Sequence, residues 1–177
     1  MQAELAKALG REIAARGLGL VYGGGKVGLM GILADAALQD GAEVIGVIPE
    51  ALMDRELGYG GCTELRVVPS MHVRKAQMND LSDGFIVLPG GIGTLEEAVE
   101  IQSWAQLGIH GKGLVYLDMD GYWDPFFALL TRMEQGGFVR AQHAQLALRA
   151  SSPAEALDEL AAWKPIEVTR WMVRTET

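Results

Sequence analysis

Apolar residues along this chain fall into two alternating rhythms. Short, nearly unbroken apolar runs at 18–22, 44–48, 65–68, 85–88 and 114–117 read as buried strands, because a strand covered on both faces needs no polar alternation. Between them the apolar spacing lengthens to three and four. Leu5, Leu9 and Ile13 share one stripe of a helix over 3–16, which Gly17 stops. Further helices are predicted over 28–39, 72–81, 94–107, 125–134 and 153–163, with a loop and short helical piece over 50–64 and a short edge strand over 146–148. Strands alternating with helices require parallel crossovers, so the expected class is α/β, a doubly wound parallel sheet flanked by helices. Ligands of such sheets lie outside the carboxyl ends of the strands. The segments 23–28, 69–75 and 89–97 all follow strands and form the candidate site.

Composition narrows the picture. A chain of 177 residues suits a single domain, and 49% apolar residues suffice for its core. No apolar stretch nears the roughly 20 residues of a membrane helix. The start, Met1-Gln-Ala-Glu-Leu-Ala-Lys7, lacks the basic and apolar runs of a signal peptide, so a cytoplasmic protein is expected. The net charge of −8, from 23 acids against 15 bases, argues against nucleic-acid and anionic-membrane partners. A small anion is still admissible, because local bases and helix ends can outweigh the global sign. Cys62 is the only cysteine, which rules out an internal disulfide. His72, His110 and His143 stand far apart, and no Cys/His cluster has metal spacing.

Four motifs carry candidate chemistry. Gly23-Gly-Gly-Lys-Val-Gly28 fits G-x-G-x-x-G between a strand and a helix, where bare backbone and a helix N-terminus favour phosphate. A dinucleotide site would need an acid at the far end of the next strand. Glu43 has the required spacing of about 20 residues but stands at that strand's start. The motif is therefore a phosphate turn, with Gly24 and Gly25 at the ligand, or a tight turn only. Pro89-Gly-Gly-Ile-Gly-Thr-Leu-Glu-Glu97 ends a strand and opens a helix. Gly90, Gly91 and Gly93 bare their amides, and Thr94 can cap the helix and offer a hydroxyl. Thr94-x-x-Glu97 also spells a capping box, so Glu97 reads equally as a cap or as a catalytic acid, with Glu96 pointing elsewhere. In Met71-His-Val-Arg-Lys75, Arg74 offers a planar fork for phosphate or carboxylate and Lys75 a point charge; the alternative is a solvated helix face. Glu56, in Leu52-Met-Asp-Arg-Glu56, is either a ligand-binding loop acid or an exposed charge. Trp104, Met30 and Met78 read as packing residues.

Taken together, Val21-Tyr-Gly-Gly-Gly25, Gly28-Leu-Met-Gly31, Val44-Ile-Gly-Val-Ile-Pro49, Met71-His-Val-Arg-Lys75, Pro89-Gly-Gly-Ile-Gly-Thr-Leu-Glu-Glu97 and Trp104-Ala-Gln-Leu-Gly108 closely resemble the LOG ("Lonely Guy") family of cytokinin riboside 5′-monophosphate phosphoribohydrolases. The resemblance covers nearly the whole chain and implies a single-domain Rossmann-like fold. It implies hydrolysis of the N-glycosidic bond of N6-modified AMP, and of AMP itself, to free base and ribose 5-phosphate, with no metal or organic cofactor. By position, Arg74 and Glu97 match the family's catalytic pair. Glu56, Lys75, Gly91, Gly93, Thr94, Glu96 and Ser103 match its substrate contacts, and Gly24 and Gly25 join them from the glycine turn. A homodimer, or a larger homo-oligomer, is the expected assembly. The family opens with a strand and a Cys-Gly-Ser/Ala loop ahead of its first helix, whereas this chain begins inside that helix. That strand would be central in the sheet and the loop helps form the nucleotide pocket, so lacking both would weaken folding and activity.

The expected chemistry follows from glycosidic cleavage through an oxocarbenium-like sugar. Glu97 would stabilise that charge or activate water, Arg74 would orient it or grip the ribose and phosphate, and Gly91 to Thr94 would bind the 5′-phosphate. Two other classes remain. One is a non-catalytic nucleotide or cofactor carrier using the same cradle. The other is a pyridoxal-phosphate decarboxylase, a label the family has also carried. It needs a Schiff-base lysine, and of five lysines only Lys26 and Lys75 lie near the candidate segments.

Overall fold

The computed structural model describes residues 1–53 and 58–166, which divide into two compact units that part between Ser82 and Asp83. The first unit runs α1 (Gln2–Ala15), β1 (Leu20–Tyr22), α2 (Leu29–Gln39), β2 (Val44–Pro49), α3 (Glu50–Met53), β3 (Glu64–Val68) and α4 (Met71–Leu81). Its strands pair in parallel in the order β1-β2-β3, with Leu20 opposite Val44 and Ile45 opposite Glu64. The central strand is the most buried, as its all-apolar sequence requires: Val44, Val47 and Ile48 are wholly inaccessible. Helix α1 buries the stripe Leu5, Leu9 and Ile13 and ends where Gly17 turns to φ 67°. It crosses α2 at Gly10, where a Cβ would stand 2.6 Å from Leu33 O and 2.9 Å from Ala36 Cβ. Small residues on both helices (Gly10 facing Ala36 and Ala37) are what permit this approach.

The second unit runs β4 (Gly84–Val87), α5 (Ile92–Gln106), β5 (Gly113–Leu117), α6 (Asp124–Gln135), α7 (Ala141–Ala144), β6 (Ala147–Ala150) and α8 (Pro153–Ala162). Its strands are again parallel, in the order β4-β5-β6. Tyr116, on central β5, is fully buried among the rings of Trp123, Phe126 and Phe127, with centroids 5.2, 4.9 and 5.4 Å away. Val87, Ala98, Ile101, Leu114, Leu130 and Ala147 complete that core. Ser152 caps α8 by accepting from the Glu155 amide, and Trp163 beyond it donates Nε1–H to Gly111 O at 2.8 Å.

The α/β class with parallel sheets flanked by helices is as expected, and the strands among the described residues form two sheets of three. Element ends move by a residue or two, and α7 is an addition. One shift matters for chemistry. Helix α5 starts at Ile92, two residues before the expected start, with Gly91 at its N-cap and no side-chain cap. Thr94 therefore lies inside the first turn and does not cap the helix. Glycine at the cap position leaves the first amides uncovered, whereas a threonine cap would have occupied one of them. No helix among the described residues is long and apolar enough to cross a membrane.

Candidate functional site

In the first unit the sheet's carboxyl edge gathers the glycine turn and the start of α4. Arg74 is buried, 6% exposed, although it lies in the first turn of a helix. Its Nε donates to Val47 O at 3.1 Å and its Nη2 to Gly23 O at 3.5 Å, so one guanidinium ties the ends of β1 and β2 together. Gly23 makes room for it: a Cβ there would stand 2.0 Å from Nη2. Lys75 beside it is also buried, at 8% exposure. The reading of this segment as a solvated helix face is thus overturned for both residues. Gly24, at φ 75°, accepts from Tyr59 N at 2.9 Å, and Gly25 bridges Gly58. The glycine turn is therefore stitched to the loop that follows Glu56, while Glu56 itself lies outside the described residues. Lys26 is exposed, with its ammonium 5.2 Å from the Tyr59 ring centroid. Tyr59 in turn donates to Asp35, and Tyr22 contacts Cys62 Sγ at 3.2 Å. Burial, reinforced by the Cys62 contact, pushes the Tyr22 phenol well above its ordinary range, so it stays protonated.

In the second unit the turn between β4 and α5 is open. Gly91 and Gly93 are exposed, and a Cβ on either would meet nothing within 4 Å. The first helical bond runs from Leu95 N to Gly91 O at 3.1 Å, so the amides of Ile92, Gly93 and Thr94 precede the helical ladder. Thr94 is half-buried and packs over Gly90, where a Cβ would stand 2.3 Å from Oγ1. Open amides at the positive end of a 15-residue helix favour an anion, which makes this turn a candidate cradle. Glu97 follows one turn further along, half-buried; with Thr94 no longer the cap, the capping-box reading of Glu97 falls too. Glu96 is exposed. Ser103, also exposed, lies eleven residues beyond Ile92, roughly 16 Å along the axis, so the fold does not bring it to the cradle of its own chain. Ile92, Glu96, Val99 and Ser103 instead line one exposed stripe of α5.

A further strand end belongs to this region, and the sequence reading missed it. The loop after β5 folds around Asp118, whose side chain is 1% exposed. Its Oδ1 accepts from Tyr122 N at 2.8 Å and Asp120 N at 3.3 Å, and its Oδ2 from Trp123 N at 3.0 Å and Arg149 Nη2 at 3.2 Å. Burial would raise this carboxyl, but the amides and Arg149 outweigh it and hold Asp118 below the ordinary carboxylate value. Tyr122 then reaches back to Gly90 O at 2.6 Å. The only local signal was Asp118-Met-Asp-Gly121, a turn sequence at a strand end. Among the described residues no group of three or more His, Cys, Asp and Glu side chains is placed to hold a metal ion.

Residues 30–160 match the family described as "Possible lysine decarboxylase". The chain belongs to this family, the LOG family. Among its relatives, rice "Probable cytokinin riboside 5'-monophosphate phosphoribohydrolase LOGL2" is 45% identical over 157 residues, 89% of this chain and 64% of that protein. "Cytokinin riboside 5'-monophosphate phosphoribohydrolase LOG4" of Arabidopsis thaliana is 44% identical over 157 residues, 89% of this chain and 73% of that protein. The chain thus spans about two thirds of the length of these relatives. Among solved structures, the molybdenum cofactor binding protein of Rippkaea orientalis superposes with TM-score 0.70 at 22% identity, over 91% of this chain and 86% of that one. The molybdenum cofactor carrier protein of Chlamydomonas reinhardtii gives 0.64 at 20% identity, over 92% and 89%. At that identity the likeness establishes the Rossmann-like fold shared by this LOG-family chain, and the fold alone.

Proposed function

We propose that this LOG-family chain is a phosphoribohydrolase, cleaving the N-glycosidic bond of N6-modified adenosine 5′-monophosphates, and of AMP, to free base and ribose 5-phosphate. The observation that carries the reading is the open amide cradle at the start of α5 with Glu97 one turn further along the same helix. Relatives 44–45% identical carry names for this activity, whereas the cofactor carriers share only the fold.

The chemistry is a substitution at C1′. The C1′–N bond to the base lengthens, positive charge builds on the ribose, water adds to C1′, and the base leaves with a proton. Glu97 acts as the carboxylate that stabilises the sugar cation or takes the proton of the attacking water. The amides of Gly91, Ile92, Gly93 and Thr94 take the 5′-phosphate, which makes a monophosphate the required substrate. Arg74, the second member of the family's catalytic pair, has two of its donors on backbone carbonyls. That favours a role in holding the ends of β1 and β2 beside the glycine turn of Gly24 and Gly25. Glu56 is assigned to the ligand by the family match alone. The exposed stripe of Ile92, Glu96, Val99 and Ser103 favours a homodimer, in which Glu96 and Ser103 serve a neighbouring subunit's ligand. Cytoplasmic residence belongs to the same reading.

The test is chromatography for free base after incubation with AMP and with isopentenyladenosine 5′-monophosphate. We expect adenine and isopentenyladenine in step with ribose 5-phosphate, and a loss of at least about 100-fold in Glu97→Ala. Base release undiminished in that variant would remove Glu97 from the mechanism. An absorbance scan showing bound pyridoxal phosphate would favour the decarboxylase reading instead.

A further inference from the structure

The loop after β5 reaches the amide cradle through a single side chain. Tyr122 donates its hydroxyl to Gly90 O at 2.6 Å, across 32 positions of sequence. That carbonyl and the Gly91 N–H belong to one planar trans peptide, so they point in opposite directions and cannot turn independently. Fixing the carbonyl therefore fixes the aim of the first amide of the cradle. The same bond polarises the peptide and strengthens its N–H as a donor. Thr94 packs against Gly90 as well, with no room for a Cβ between them, so this peptide is clamped.

Tyr122 is itself held for the task. Its amide donates to Asp118 Oδ1 at 2.8 Å, and its ring stands edge-on to Trp123 at 5.0 Å. Trp123 is buried in the core of its unit, 4% exposed, whereas Tyr122 is 47% exposed. A tyrosine that open gains little from burial. The hydrogen bond that its side chain makes is that of the hydroxyl to Gly90 O.

We infer that Tyr122 is a positioning residue for phosphate binding, setting the Gly90–Gly91 peptide so that the Gly91 amide faces the 5′-phosphate. The inference rests on the phosphoribohydrolase reading and adds to it a residue from a strand end outside the family's motif segments.

The test is calorimetric titration of the full chain with ribose 5-phosphate and, separately, with adenosine, for the wild type and Tyr122→Phe, with a thermal melt of each. The variant keeps the ring and loses the hydroxyl. We expect its affinity for ribose 5-phosphate to fall about fivefold, the worth of one ordinary hydrogen bond. Its affinity for adenosine, which carries no phosphate, should stay within about twofold. Equal losses for both ligands would make Tyr122 merely structural, and no loss for either would remove it from the cradle. Either result overturns the inference while the wild type still binds ribose 5-phosphate. A wild type that binds no ribose 5-phosphate overturns the phosphate cradle itself, and the inference with it.

Discussion

Arg74 and Glu97, the residues paired by family position, have different physical lives. Arg74 is a buried cation whose donors reach Val47 O and Gly23 O, and a charged donor on a buried carbonyl is worth about 1.5–3 kcal/mol. Replacing it with alanine removes both bonds and leaves a cavity, so we expect Arg74→Ala to destabilise by about 3 kcal/mol or more, read in urea unfolding. Gly23→Ala tests the same point from the other side, because a Cβ there meets Nη2 at 2.0 Å. It should expel the guanidinium and lower both stability and base release. If Gly23→Ala melts like the wild type, the guanidinium has another place to go and its hold on β1 and β2 is dispensable. Glu97→Ala should instead lose turnover with little change in melting, since Glu97 is half-buried on a helix flank.

At the scale of elements, two contacts bear on stability. Helices α1 and α2 meet at Gly10 with no space for a methyl group, against backbone that cannot step aside. Gly10→Val should therefore cost roughly 1–3 kcal/mol, as overpacked positions do, measured by chemical denaturation; an unchanged midpoint would show the crossing to be loose. His110 is the second contact. Lys112 N donates to its Nδ1 at 3.1 Å, and its Nε2 lies 3.0 Å from Ile101 O, which fixes the neutral tautomer. Burial, aided by Lys112, holds its pKa below the ordinary 6.5 despite the Ile101 carbonyl. As pH falls below 6.5 the unfolded chain takes up a proton that the folded chain refuses, so this part of the stability is present above 6.5 and lost on acidification. Burial lowers the pKa of His143 too, with the same sign. Melting temperature should drop between pH 7.5 and 5.5, and less steeply in His110→Gln; a parallel drop in both would place the pH dependence elsewhere. These elements also show what a reader of the sequence can see. The strands, the helices and the glycine turn after β4 were legible because each is written locally, in apolar runs, spacing and Pro-Gly-Gly. The helix start was misread because Ser/Thr-x-x-Glu spells a capping box wherever it occurs, while the actual cap is Gly91. The burial of Arg74 and the bond from Tyr122 to Gly90 were not legible, since each depends on a carbonyl 27 or 32 positions away.

At the scale of the whole molecule, the family match runs through both units, from residue 30 to 160, and a net charge of −8 surrounds the proposed anion site. An acidic protein that binds a phosphate must do so through local bases and helix ends, and in this reading the amides at the start of α5 supply the attraction. The central claim is that these amides grip a single 5′-phosphate and use it to hold the sugar at Glu97. Binding energy from a part of the substrate that does not react should then appear in the rate of the part that does. The most direct measurement compares base release from AMP and from adenosine by the same preparation, as kcat/KM. We expect AMP to be preferred by at least about 100-fold, the order of two charge-assisted hydrogen bonds. Equal rates from AMP and adenosine would show that the cradle does not serve the reaction, and the account of this site would be wrong.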